Sequence, residues 1–162
     1  MRVLGIDPGT AITGYGVVEG EGDSIALATY GAIRTPAEHP LAQRLQHIYH
    51  ELQALIAAWR PESAAVEELF FSKNARTALA VGHARGVTLL ALSEAGLPVY
   101  EYKPAEVKQA VAGYGNASKE QVQGMVQLLL NLDEIPRPDD AADALAVAIC
   151  HFHSVRWQSL VR

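Results

Sequence analysis

The stretch RVLGIDPGTAITGYGVV, residues 2–18, runs an apolar strand directly into Asp7 and leaves the next turn on a second strand rich in glycine. Asp at the first position of a turn, Pro at the second and Gly at the third favour a tight turn that the Asp side chain caps. Turn chemistry alone therefore accounts for Asp7. A catalytic role requires further carboxylates near it, and only the rest of the chain can supply them.

The remaining elements follow from periodicity and from turn residues. Strands at 2–7, 12–19 and 25–33, the last two joined by the turn EGEGDS, predict an antiparallel meander. The order of elements predicts an α/β fold with a mixed five-stranded sheet flanked by helices. The other predicted elements are a helix from Leu41 to Trp59, strands at 63–68 and 98–102, helices at 74–95 and 104–113, a helix from a Ser118/Gln121 capping box to about 130, and a final helix at 139–153 with Asp139 as its N-cap.

Length and composition predict one domain spanning residues 1–162, of which about 155–162 form a frayed tail. The apolar runs are too short to span a bilayer and the N-terminus lacks a signal-peptide pattern, so we expect a soluble, cytoplasmic protein. The single cysteine, Cys150, reads as a small buried hydrophobic residue. A net charge of −5 argues against binding nucleic acid through overall charge, although a local basic patch is compatible with that value.

Four acids occupy the ends of predicted elements, where functional groups of α/β proteins collect. Asp7 ends the first strand, Glu67 ends the fourth with Glu68 beside it, and Asp140 and Asp143 share one face of the final helix. Strand-end capping and the helix dipole offer a purely structural explanation. If the acids converge, each pair about 5 Å apart repels by roughly 3 kcal/mol at an effective dielectric constant of 20, so the cluster requires cations.

A site built only from carboxylates favours Mg²⁺ or Mn²⁺ over zinc. Two such ions can activate water and stabilise the leaving oxygen of a phosphodiester. Histidine offers no rival site, and we expect four histidines to be structural or solvated: His47, His50, His151 and His153.

Four long segments resemble the RuvC family of Holliday junction resolvases: GIDPGTAITGYGVV, VEELFFSKNARTALAVGHARGV, EYKPAEVKQAVAGYGNASKEQVQGMVQLLL and DDAADALAVAICHFH. They occur in the family's order and cover nearly the whole chain. The resemblance implies an RNase H-like, integrase-superfamily fold and a homodimeric endonuclease. Such an enzyme nicks two strands of a four-way DNA junction symmetrically, leaving 5′-phosphate and 3′-hydroxyl ends, in homologous recombination and DNA repair.

The resemblance also assigns roles to individual residues. Some members of the family carry His at the position of Asp140, so this chain has the all-carboxylate version, and Glu68 stands where the family varies. The branch-migration proteins RuvA and RuvB are the partners that the resemblance implies, and the helix holding Gly82 and Gly86 is its dimer contact, although those glycines could equally pack on the sheet. The assigned residues are Asp7, Glu67, Asp140 and Asp143 as catalytic ligands of two Mg²⁺ or Mn²⁺ ions, Lys108 as a further catalytic group, and Phe70, Lys73, Asn74, Arg76, Lys108 and Lys119 as DNA-binding residues, with Arg85 and Lys103 as possible extensions of that patch.

Phe70, Lys108 and Lys119 are ambiguous by themselves. Two adjacent phenylalanines, Phe70 and Phe71, cannot both face a core from one strand, so one is expected to be exposed and able to stack on a base. For the lysines, a solvated helix face is the alternative to a phosphate contact.

Two other classes of function compete with the nuclease. GIDPGT also resembles the first phosphate loop of actin-like and sugar-kinase-like ATPases, but those proteins close two such domains on the nucleotide and this chain has the length of one. The second alternative is a junction-binding module without catalysis, in which the acids merely cap helices.

Overall fold

The computed structural model describes residues 1–68 and 74–161. The elements there alternate much as the sequence predicts, and many bounds differ from the predicted ones by one or two residues. They are β1 (Arg2–Asp7), β2 (Ile12–Glu21), β3 (Ser24–Arg34), α1 (Leu41–Trp59), β4 (Ser63–Glu67), α2 (Ala75–Glu94), β5 (Val99–Tyr102), α3 (Pro104–Ala112), α4 (Lys119–Leu129) and α5 (Asp139–Leu160).

The five strands form one mixed sheet in the order β3-β2-β1-β4-β5, which confirms the predicted sheet. β1, β2 and β3 are antiparallel neighbours because short turns join them. β4 pairs parallel to β1, and β5 pairs parallel to β4, since a helix connects each to the strand before it. As a result, the C-terminal ends of β1, β3, β4 and β5 all lie at one edge of the sheet.

Alternation along the strands divides the core into two layers. Val3 packs with α3, α4 and α5, whereas Leu4 packs with α1 and α2. Ala65 and Val66 repeat this alternation on β4. Odd-numbered residues of β1 and β4 therefore face α5.

Three glycines let α5 lie directly on the sheet. A Cβ at Gly5 would overlap the carbonyl oxygen of Ala144, and a Cβ at Gly16 would overlap the side chain of Leu145. At Gly14 the overlap would be with the backbone of Asp140. Gly5 and Gly16 are also register partners, so the glycines form a continuous shallow seat, here called the glycine seat, under the first half of α5.

The ends of α5 differ from the prediction. Pro138, not Asp139, occupies the N-cap position, and the Asp139 carboxylate accepts hydrogen bonds from Gln123 and Arg137 instead. At the other end, residues 155–160 continue the helix where a frayed tail was expected, and Arg156 there forms an ion pair with Asp23 of the β2–β3 turn. The additional C-terminal turns of α5 thus make a contact with a distant part of the chain, which local sequence patterns do not predict.

Two buried polar side chains on α5 are structural. His151 is hydrogen-bonded through Nε2 to Ser63 Oγ at 3.0 Å and through Nδ1 to Tyr102 OH at 2.7 Å, and burial lowers its pKa to about 4. Burial likewise raises the pKa of the Cys150 thiol to about 11, as expected for an inert core cysteine. Among residues 1–68 and 74–161, no helix is both long and apolar enough to cross a membrane.

Candidate active site

Two of the predicted acids lie side by side at the edge of the sheet. The parallel register that pairs Ile6 with Val66 places Asp7 beside Glu67, on strands about 4.8 Å apart. Both are odd-numbered residues, so their side chains lie on the face of the sheet that packs against α5. Strand pairing and side-chain alternation together therefore bring Asp7 and Glu67 to one spot.

The glycine seat brings the other two acids to the same spot. Gly14 is the register partner of Asp7, and it lies directly beneath the backbone of Asp140. Asp140 and Asp143 are in the first turns of α5, three residues apart and on one face of the helix. The first turn of α5 is thus pressed against the strand end that carries Asp7.

The electrostatics of the cluster reflect this proximity. Burial raises the pKa of Asp7 to about 8, with further increases from the charges of Asp143, Asp140 and Glu67. Burial and then Asp143 raise the pKa of Glu67, and burial is the main cause of the raised pKa of Asp143. The cluster therefore holds more negative charge than its surroundings stabilise, and added cations would relieve that imbalance.

Two lysines supply part of the missing positive charge. Lys119 Nζ lies 3.2 Å from an Asp139 carboxylate oxygen and 3.9 Å from one of Asp143, and it lowers the pKa of Asp7 and Asp143. Lys108 lowers the pKa of Glu67. Both lysines line a cleft of about 260 Å³ together with Glu67 and Asp143, over an apolar floor that includes Val107, Val122 and Ala146.

The donor set suits Mg²⁺ or Mn²⁺, because these ions prefer carboxylate oxygens. Within residues 1–68 and 74–161, no three Asp, Glu, His or Cys side chains are already grouped closely enough to enclose an ion. Mutual repulsion keeps ionised carboxylates apart, and the four acids nevertheless share one strand edge and the first turns of one helix. The residues present therefore fit a divalent-metal site.

Two contacts missed by the sequence analysis hold the acid-bearing segments to α2. Arg85 donates a hydrogen bond to the backbone carbonyl oxygen of Glu67 at 2.6 Å and forms an ion pair with Glu101 at 2.5 Å. Thr10, three residues after Asp7, donates to the Ala80 carbonyl oxygen at 2.6 Å. Neither contact has a local sequence signature.

The other predicted DNA-binding residues are distributed around the N-terminus of α2. Asn74 is its N-cap and accepts hydrogen bonds from the backbone amides of Arg76 and Thr77. Arg76 is exposed in the first turn, whereas Phe70 and Lys73 lie outside the described residues. Gly82 and Gly86 lie in the middle of α2. A Cβ at either glycine would meet open space, so these glycines do not pack on the sheet.

The family model for crossover junction endodeoxyribonuclease RuvC matches residues 3–151. This chain belongs to the RuvC family. A crossover junction endodeoxyribonuclease RuvC of Heliobacterium modesticaldum is 62% identical over 157 residues, which cover 97% of this chain and 97% of that protein. The protein of the same name from Chloroflexus aggregans is 62% identical over 154 residues, covering 95% of this chain and 94% of that protein.

Solved RuvC structures share the whole architecture. The structure of T. thermophilus RuvC in complex with Holliday junction substrate has a TM-score of 0.93 and 43% sequence identity, over 98% of this chain and 96% of that chain. The fold is thus RNase H-like, as expected. The yeast mitochondrial Holliday junction resolvase Ydc2 shares the fold alone, with a TM-score of 0.66 and 16% identity over 97% of this chain and 80% of that chain. RuvC-family enzymes are divalent-metal-dependent nucleases, and neither the ATPase nor the non-catalytic alternative is favoured.

Proposed function

We propose that this chain resolves four-way DNA junctions by paired symmetric nicks, leaving 5′-phosphate and 3′-hydroxyl ends in recombination and repair. The observation that carries the proposal is the convergence of four carboxylates on one strand edge and one helical turn, in a chain of the RuvC family. T. thermophilus RuvC has been solved with a Holliday junction substrate, and its fold matches this one closely. Junction DNA is therefore the substrate that we assign.

Asp7, Glu67, Asp140 and Asp143 would hold two Mg²⁺ or Mn²⁺ ions. When bound, such ions polarise water and stabilise the leaving oxygen of a phosphodiester. Asp7 is the central ligand in this proposal, because burial and all three of the other acids raise its pKa. Its carboxylate would lie between Glu67 on β4 and the two aspartates on α5.

The chain's own cations complete the site. Lys108 lies beside Glu67 and faces the cleft, where its ammonium group can bind a non-bridging phosphate oxygen and stabilise negative charge that develops on it. Lys119 keeps Asp139 and Asp143 in place and can contact the next phosphate. Phe70, Lys73, Asn74 and Arg76 would bind junction strands beside the acids, with Phe70 stacking on a base.

The active form would be a homodimer, since two sites are needed to nick opposing strands together. α2 presents a face with Leu79, which is 63% exposed, and Leu90, which is 53% exposed. Gly82 and Gly86 lie between them on the same face and leave room for close approach. We assign this face to the dimer, and we assign RuvA and RuvB as partners of a cytoplasmic, single-domain enzyme of residues 1–162.

End-mapping of cleavage on a mobile synthetic four-way junction tests this function. With Mg²⁺ or Mn²⁺ we expect paired, religatable nicks on opposing strands, and none with EDTA. Asp7→Asn and Glu67→Gln should each reduce cleavage at least 1000-fold while junction binding in EDTA persists. Glu51→Gln, which changes an exposed acid on α1, is the matched control. Binding without nicks in either metal would make the protein a non-catalytic junction binder.

A further inference from the structure

A second cleft, of about 560 Å³, lies where β3 ends and α1 begins. Its lining includes two arginines, two histidines and two glutamines, and among the described residues no carboxylate contributes to it. Glu38, in the same loop, is exposed and lies outside the lining. We call this cleft the Arg34 cleft; its polar side chains are Arg34, His39, Gln43, Arg44, Gln46 and His47.

The Arg34 cleft is at the same edge of the sheet as the acids. Asp7 pairs with Gly14 and Gly14 pairs with Ala32, so Ala32 is level with Asp7 two strands away. Arg34 follows Ala32 by two residues on the same face of β3. Two strand spacings of about 4.8 Å and two residues of about 3.3 Å place the Arg34 backbone about 12 Å from that of Asp7.

Hydrogen bonds fasten the cleft to the loop that follows Asp7. Thr35 donates through Oγ1 to the Thr10 carbonyl oxygen at 2.5 Å and through its amide to the Ala11 carbonyl oxygen at 3.0 Å. Arg44 Nε in turn donates to Thr35 Oγ1 at 2.8 Å, which orients its guanidinium at the cleft. The cleft and the acid cluster are therefore parts of one connected framework.

The Arg34 guanidinium is available for a ligand. It makes no hydrogen bond or ion pair within residues 1–68 and 74–161, and the residue is exposed. Four cationic or protonatable side chains without a carboxylate stand out in a chain of net charge −5. Such a cleft suits an anion with several phosphate groups more than a neutral or cationic ligand.

We propose that the Arg34 cleft binds the sugar-phosphate backbone of a junction arm beside the scissile phosphate, on the side opposite Lys108 and Lys119. The proposal rests on the proposed function. Its distance from Asp7 matches the roughly 12 Å width of the major groove of B-DNA, so one backbone of the duplex can reach the acids while the other reaches Arg34. Recognition of this kind positions the arm and reads no base sequence.

Junction affinity measured against salt concentration tests the assignment. In EDTA, with a fixed synthetic junction between 50 and 200 mM salt, each phosphate contact adds about 0.9 to the slope of log K against log salt. We expect Arg34→Gln to weaken binding about 5- to 10-fold at low salt and to reduce the slope by about 1. Arg34→Gln combined with Arg44→Gln should reduce the slope by about 2, and Arg34→Lys should retain most of the affinity.

Arg60→Gln is the matched control, because it removes the same charge just beyond the C-terminal end of α1, a helix about 28 Å long. It should bind and cleave like the wild type. Wild-type affinity and salt slope in the Arg34→Gln protein would overturn the cleft assignment and leave the nuclease proposal standing. Failure of the wild type itself to bind or nick the junction would instead overturn both. If Arg34→Gln weakened the binding of an acidic protein partner and left junction binding unchanged, the DNA assignment would also be overturned.

Discussion

Asp7 is half-buried and His151 is fully buried, and burial shifts their pKa values in opposite directions. The pKa of Asp7 rises to about 8, because burial and three neighbouring acids oppose its charge. The pKa of His151 falls to about 4, because burial opposes the imidazolium. His151 is hydrogen-bonded to the neutral hydroxyls of Ser63 and Tyr102, so no carboxylate compensates a proton there. The environment of Asp7 therefore favours binding of a cation, whereas the environment of His151 favours the neutral imidazole.

We predict that His151 destabilises the protein in acid. Its folded pKa is depressed, so the unfolded chain binds the proton more readily, and stability present above pH 6.5 is lost as the pH falls towards 4. The loss from this group reaches about 3 kcal/mol. Chemical denaturation between pH 7 and 4 should show a shallower decline for His151→Gln than for wild type, with the exposed His50→Gln as control. Parallel declines for all three proteins would contradict the assignment.

The four acids were predictable from the sequence because each stands at an end of a strong local pattern. Asp140 and Asp143 share a helix face by spacing alone, and Asp7 follows an obvious strand. Their common location was not predictable in the same way. It depends on the β1–β4 register, which joins residues 60 positions apart, and on the close approach of Asp140 to Gly14, which are more than a hundred positions apart.

At the scale of elements, α2 supports both acid-bearing strands. Arg85 holds the Glu67 carbonyl group, and Ala80 accepts the hydrogen bond from Thr10 in the loop after Asp7. The sequence indicated the helix but assigned Arg85 to a possible DNA-binding patch, because a basic residue reveals neither its direction nor its partner. α5 was predicted too short for a related reason, since its last turns contact the distant β2–β3 turn through Arg156.

We predict that Arg85 positions Glu67. Arg85→Ala should raise the Mn²⁺ concentration for half-maximal cleavage about 10-fold and lower the maximal rate by 10- to 100-fold, because Glu67 loses its backbone anchor. Junction affinity in EDTA should stay unchanged, and Arg85→Lys should recover part of the activity. Glu101→Gln removes only the ion pair and serves as the control. An unaltered Mn²⁺ dependence in Arg85→Ala would refute this role.

We predict that the glycine seat is intolerant of side chains. Gly14→Ala places a Cβ inside the space of the Asp140 backbone, which must move together with the first turn of α5. Cleavage should fall at least 100-fold and the free energy of unfolding by about 1–3 kcal/mol. Gly124→Ala, in α4 with open space around it, should gain up to about 1 kcal/mol through helix propensity. The two variants are compared by calorimetry and single-turnover cleavage, and a fully active Gly14→Ala protein would disprove the prediction.

At the scale of the whole molecule, charge and exposed apolar surface are unevenly distributed. The net charge of −5 includes the acids that the metal ions would neutralise, while Lys108 and Lys119 line a cleft with two of those acids and the Arg34 cleft lies at the same edge of the sheet. Net charge could not reveal these patches, because it averages over a surface that the fold separates into regions of different sign.

We predict that the exposed face of α2 maintains the dimer. Leu79→Glu combined with Leu90→Glu should give a monomer in sedimentation at concentrations where the wild type is a dimer, because ionised side chains would be buried in the interface. Paired nicks should then give way to slower single nicks. Leu128→Glu, at a 70% exposed position on α4, is the control. A wild type that sediments as a monomer, or an unaffected double variant, would refute this face as the interface.

The buried thiol of Cys150 has a practical consequence for fluorescence work. It is the single cysteine of the chain, and with a pKa of about 11 only about one molecule in ten thousand carries the reactive thiolate at pH 7. A cysteine introduced at the exposed Glu51 would therefore take up a maleimide dye far faster than Cys150. Site-specific labelling of the protein needs one added cysteine and no removal of the native one.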